Sequence, residues 1–127
     1  MVVAGSAGVN IIVSPVIVES VNLKKYIVSA GIVSEKCLSG LLDIAHCIVL
    51  PITQGGGTNL KTAEALWSGH HVIATSKAMR GFERFIGGPG VAIADNSSDF
   101  KLAIRKAMQS PPLKLSVADK KNRESVL

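Results

Sequence analysis

Short apolar runs recur along the chain, each closed by a turn residue: "MVVAG", "YIVSAGIV", "CIVLP", "HHVIAT" and "GVAIA". Runs of this length, rich in Val and Ile and with little alternation, predict strands buried on both faces. Between them the period changes. "SEKCLSGLLDIAH" sets Cys37, Leu38, Leu41, Leu42 and Ala45 at helical spacing behind Ser34 as N-cap. "TNLKTAEALWSG" predicts a second helix with a buried stripe of Leu60, Ala63, Leu66 and Trp67, and with Gly69 in the stop position. "DNSSDFKLAIRKAMQS" predicts a third, whose apolar face is Phe100, Ala103, Ile104 and Ala107 and which Pro111 and Pro112 end. "MRGFERF" reads as one or two helical turns with Phe82 and Phe85 packed inward, and residues 10–25, interrupted by Pro15, allow only a short helix.

Strand and helix thus alternate about five times over short connections, the pattern of an α/β fold with an open parallel sheet and helices on both faces. Residues 1–112 are expected to form one Rossmann-like unit and 113–127 a terminal tail or helix. A chain that opens directly on a core strand also suggests a piece of a longer protein, incomplete at its N-terminus. In such sheets ligands bind outside the carboxyl ends of the strands. Three glycine-bearing strand ends qualify: after "VVA", after "YIVSA" and after "CIVLPITQ".

Composition narrows this picture only at the margins. The 127 residues suffice for one domain with a modest core, and a hydrophobic share of 47% argues against disorder. The net charge of +5 weakly favours an anionic partner, but several of the basic residues lie in "LKLSVADKKNRESVL". No basic stripe interleaved with aromatics is present, so no nucleic-acid partner is expected. Cys37 and Cys47 lack metal or redox spacing and read as buried free thiols in a reducing compartment. His46, His70 and His71 give no ligand spacing for a metal, and Ser6 and Cys37 show no partner base. No apolar run approaches the roughly 20 residues that span a bilayer.

The strongest chemical signal is "QGGGTNLKTAEALWSG". Glycines at a helix mouth let a ligand approach backbone N–H groups, and the helix dipole favours an anion there. Lys61 in the first turn could neutralise a phosphate oxygen, and Glu64 one turn on could accept from the hydroxyls of a ribose. Equally, the glycines could be a flexible loop, Lys61 a solvated residue, and Glu64 half of an ion pair on its own helix. Walker and dinucleotide fingerprints are absent, since no GK[ST] follows and "GSAG" has the wrong spacing. Arg80 and Glu83 follow a strand end and either line the cleft or lie on an exposed turn.

The stretch "GIVSEKCLSGLLDIAHCIVLPITQGGGTNLKTAEALWSGHHVIATSKAMRGFE" resembles the carboxy-terminal, donor-binding domain of GT-B glycosyltransferases. The likeness is to the group 1 family of retaining enzymes that use nucleotide sugars. Its specific part is residues 31–83, and its layout extends over residues 1–110. The resemblance implies that Glu64 holds the ribose hydroxyls of the donor. It implies too that Gly55, Gly56, Gly57, Thr58 and Asn59 lie against diphosphate and sugar, and that Gly31 and Val33 lie near the base. Gly5 and Ser6 would form part of the same crevice wall. Lys61 matches no uniform family position, so its role as the cation assisting departure of the diphosphate rests on the physical argument.

The chain departs from that family in three places. Gly56 stands where many relatives carry a glutamate that grips the donor sugar, and His71 stands where they carry proline. The family's Arg/Lys pair for the diphosphate belongs upstream of residue 1, together with the acceptor domain. The resemblance therefore implies the donor half of a hexosyltransferase that moves sugar from a nucleotide-diphosphate sugar to an acceptor hydroxyl. It implies no metal and no other cofactor, a cytoplasmic location that includes the inner membrane surface, and little turnover by this piece alone. A GT-B epimerase or phosphorylase, or a non-catalytic Rossmann-like nucleotide-binding domain, are the alternatives.

Overall fold

The computed structural model describes residues 2–4, 28–55 and 60–126, which divide between two compact units, Met1–Leu41 and Leu42–Leu127. In the first unit, β1 (Val2–Ala4) pairs in parallel with β2 (Val28–Gly31). Helix α1 (Glu35–Ile44) follows. Ser34 caps it as expected, its Oγ accepting from the Cys37 backbone N–H at 3.2 Å and satisfying one of the donors a helix start leaves unpaired. The turn after "VVA", with Gly5 and Ser6, and the short helix expected in residues 10–25 lie outside the described residues.

The second unit is built on a three-stranded parallel sheet in the order β3 (Cys47–Leu50), β4 (His71–Ala74), β5 (Val91–Ile93). Cys47 lies opposite His71 and Leu50 opposite Ala74, while Val72 lies opposite Val91 and Ala74 opposite Ile93. Helix α2 (Leu60–Trp67) connects β3 to β4, which is the parallel crossover the sequence pattern predicts. Gly69 ends it with φ +77°, a backbone that side-chain-bearing residues rarely adopt, and donates to the Leu66 carbonyl at 3.2 Å. Between β4 and β5 there is no α-helix; a compact segment ends in one 3-10 turn, Glu83–Phe85. Phe82 and Phe85 are buried, as their apolar character predicts.

One face of the sheet packs Ile48, Leu50, Val72 and Ala74 against Ala63 and Leu66 of α2 and against Met79, Phe82 and Phe85. Helix α3 (Ser97–Gln109), capped by Asn96 through the Asp99 N–H at 2.9 Å, lies along the other face. Two histidines fasten that side: His46 Nε2 donates to the Ala107 carbonyl at 2.9 Å and His71 Nε2 to the Pro111 carbonyl at 3.1 Å. Their rings lie 5.6 Å apart, so both serve the packing of α3. The fold is thus α/β with a parallel sheet flanked by helices, and is compatible with a Rossmann-like arrangement. No helix among the described residues is long and apolar enough to cross a membrane.

Two expectations about burial need correction. The inward stripe of α2 is Thr62, Ala63, Ala65 and Leu66, whereas Leu60 and Trp67 are 61% and 53% exposed. The helix is rotated because the Thr62 hydroxyl finds a backbone acceptor inside and the alanines permit close approach. Polarity alone therefore misplaced the stripe. Cys37 is exposed rather than buried; both thiols are free, and burial pushes the half-buried Cys47 thiol up to about 11.

The terminal segment folds back as α4 (Val117–Glu124), capped by Ser116 and packed on α2. Its anchor is Arg123, only 4% exposed, whose guanidinium donates to the His70 carbonyl at 2.7 Å and to the Pro89 carbonyl. Those carbonyls precede β4 and β5, so one side chain ties the helix to the amino edge of two strands. Replacing it by Arg123→Leu keeps the volume but strips both carbonyls of a charged donor. The expected loss is about 1.5–3 kcal/mol, read from the urea midpoint; an unchanged midpoint would mean that α4 contributes nothing to the unit.

Candidate functional site

At the carboxyl edge of the sheet, the segment leaving β4 holds its neighbours in place. Thr75 is the last residue of the apolar run "HHVIAT", and its buried Oγ1 donates to the Ile52 carbonyl while accepting from the Ala78 N–H at 3.1 Å. Thr62 of α2, fully buried, donates its hydroxyl to the Ala78 carbonyl at 2.6 Å. Ser76 binds Asp95, which follows β5, through both its backbone N–H (2.7 Å) and its hydroxyl (2.6 Å). Arg80 Nη2 donates to the Gly55 carbonyl at 3.1 Å. The exits of all three strands are thereby joined, with α2 fixed to the same segment.

These contacts also set the local electrostatics. The two hydrogen bonds from Ser76 hold the Asp95 carboxyl below the usual carboxylate range. Glu83 is lowered as well, first by its own backbone N–H and that of Gly81, whose N–H lies 3.1 Å from Oε1, and lastly by the positive charge of Arg80. Both carboxylates are exposed, Glu83 committed to its own loop and Asp95 to Ser76 on the segment leaving β4.

Of the residues expected to bind a donor, Gly55 stands at the exit of β3 with φ +110°, the left-handed side of backbone space that glycine alone tolerates readily. Gly56, Gly57, Thr58 and Asn59, which complete that turn, lie outside the described residues. Lys61 is exposed in the first turn of α2, and Glu64 follows at i+3, partly buried on the flank that also carries the exposed Leu60 and Trp67. Among the described residues Glu64 makes no ion pair or side-chain hydrogen bond, so it does not pair with Lys61. Gly31, with φ +62°, is the last residue of β2, and Val33 follows it in the same unit.

Sequence reasoning missed Thr62, Thr75, Ser76 and Asp95. A threonine inside an otherwise apolar helical stripe, and another closing an apolar strand, were available as signals for the first two. The pairing of Ser76 with Asp95 spans two strand exits, and nothing local announces it.

Compared with known families and characterised proteins, the chain matches no family model and no curated sequence.

Asp95 gives this edge a pH signature. Its folded pKa lies below the unfolded value of about 3.9, so its contribution is present above that value and disappears as pH falls through the folded pKa. Asp95→Asn is therefore expected to be less stable than the parent at pH 7, with the gap closing as pH falls through the lowered folded pKa of Asp95. Urea melts over an acid pH series check it, and a gap that stays constant with pH would refute the assignment.

Proposed function

We propose that the chain is the donor-binding part of a GT-B glycosyltransferase, recognising the nucleoside diphosphate portion of a nucleotide sugar. The observation that carries this reading is Glu64. It is a partly buried carboxylate one turn into the helix behind the glycine turn, with no ion pair or side-chain hydrogen bond among the described residues. Its nearest helical cation, Lys61, leaves it unengaged, whereas Glu83 is held by its own loop and Asp95 by Ser76. A carboxylate withdrawn partly from water gains most when a ligand supplies two donors to its two oxygens, and the diol of a ribose does so. A parallel α/β sheet with glycine-bearing carboxyl ends supports the same reading.

In the complete enzyme the bond from the anomeric carbon to the diphosphate breaks, and a bond to an acceptor oxygen forms. The nucleoside diphosphate leaves carrying the electron pair, and the acceptor hydroxyl gives up its proton. The α2 N-terminus and Lys61 stabilise the charge that grows on the departing phosphate, without a metal ion. Glu64 fixes the nucleoside and contributes binding.

Calorimetric titration of the chain with UDP, GDP and NAD tests the donor class. A nucleoside diphosphate is expected to bind, and Glu64→Ala to weaken it by several-fold or more. NAD binding with no response to either diphosphate would replace this reading with a dinucleotide-binding one. Equal affinity of the Glu64→Ala variant would remove Glu64 from the site. With a labelled nucleotide sugar and an acceptor, epimerised donor without transfer would exclude a transferase.

A further inference from the structure

Among the described residues β5 has β4 on one side and no strand on the other. The Val72 N–H donates to the Gly90 carbonyl at 2.8 Å, and the Ala94 N–H to the Ala74 carbonyl at 2.9 Å. Backbone direction alternates along a parallel ladder, so Val91 and Ile93 turn their own N–H and C=O groups to the open side. The Val91 N–H is taken by the Gly88 carbonyl at 3.2 Å. The Ile93 N–H and the Val91 carbonyl stay at the edge, and such an edge is a template for a further strand.

Beside this edge runs a cleft of about 510 Å³ between β5 and α3. Val91 and Ile93 pack on the α2 side of the sheet. Alternation therefore leaves Ala92 as the β5 side chain turned to α3, and a methyl group is too small to fill the space. From the other wall α3 brings Asp99, Leu102, Ala103 and Lys106. Leu102 is 63% exposed, a large apolar side chain at a polar surface. Asp99 and Lys106 are exposed on either side of it, about 10 Å apart along the helix.

We infer that this edge is the interface of a two-fold dimer, the strand and helix of a second copy of this chain covering the cleft. The order of acid, leucine and base along α3 identifies the occupant, because it is self-complementary. A two-fold axis at Ala92 runs the two β5 strands antiparallel, so each Ile93 N–H meets the Val91 carbonyl of the partner subunit. The same axis reverses α3 against its mate. Asp99 then faces Lys106 of the partner subunit, Lys106 faces the partner's Asp99, and the two Leu102 side chains meet over the clefts. A foreign strand could use the backbone edge, but a copy of this chain brings the matching charges in reverse order by symmetry. The inference does not depend on the donor reading.

Sedimentation equilibrium of the whole chain over a series of micromolar concentrations tests it, and a monomer–dimer equilibrium is expected. Leu102→Glu places two like charges at the axis and should weaken the dimer by about ten-fold or more. Asp99→Lys and Lys106→Glu should each weaken self-association as well. A one-to-one mixture of those two variants should regain it, because both contacts of the mixed dimer again join opposite charges. Thermal melts establish that the variants remain folded. A parent chain that stays monomeric, a dimer unchanged in folded Leu102→Glu, or a mixture that associates no better than either variant alone overturns the assignment.

Discussion

The buried hydroxyl of Thr62 against the Ala78 carbonyl is the contact on which the carboxyl edge depends. A hydroxyl taken out of water must find a partner, and this one finds it on the segment leaving β4. The contact sets the rotation of α2 against the sheet. It therefore decides that Leu66 faces the core, and that Lys61, Glu64 and Trp67 face outward. The same segment is held from the other side by Thr75 on Ile52 and by Ser76 on Asp95. Three strand exits are fastened to one piece of backbone that is itself packed by Ala78, Met79 and Phe82. Such an edge is stiff enough to hold groups in a fixed relation, which is what recognition of a ligand demands.

The amino edge is fastened by a different device. Arg123 places a charge among carbonyls instead of opposite a carboxylate, and burial lowers its pKa while Asp119 acts against that. The docked α4 covers α2 on the face where the sheet alone would leave it open. Part of the positive charge of "LKLSVADKKNRESVL" is thus structural. That part, the buried Arg123, cannot be counted toward an anionic partner.

The elements were legible in the sequence because each has its own period. "CIVL", "HVIA" and "VAI" are strands, Ser34 and Gly69 bound helices as their chemistry requires, and the inward Phe82 and Phe85 follow from a short apolar turn. What could not be read locally was anything decided by a tertiary acceptor. Trp67 and Leu60 look like core residues until Thr62 is seen to have a carbonyl inside the fold. The clasp between Ser76 and Asp95 joins residues nineteen positions apart across a strand, where neither spacing nor composition gives a hint. Of the candidate site, Gly55 and Glu64 stood out because glycine and carboxylate chemistry are unusual at a helix mouth. Arg80 stood out only as one of two readings, since an arginine after a strand is as often solvated as engaged.

On the proposed donor reading, the carboxylates of the second unit bear on how a cationic site would bind a sugar nucleotide through an acid. An anion approaching the edge meets Glu83, Asp95 and Glu64, each of which would repel it. Glu83 has its negative charge spread into backbone donors of its own loop and Asp95 into the backbone and hydroxyl donors of Ser76, the arrangement that lowers both pKa values. Glu64 has no such partner among the described residues, and it lies on a helix flank turned away from the core, one turn past the helix mouth. A ligand that presents phosphate to the mouth and hydroxyls farther along the helix satisfies both ends at once, whereas a simple anion satisfies only the first. On the proposed donor reading, the separation of a cationic end from an acceptor end along one helix would favour a molecule with both features in that order.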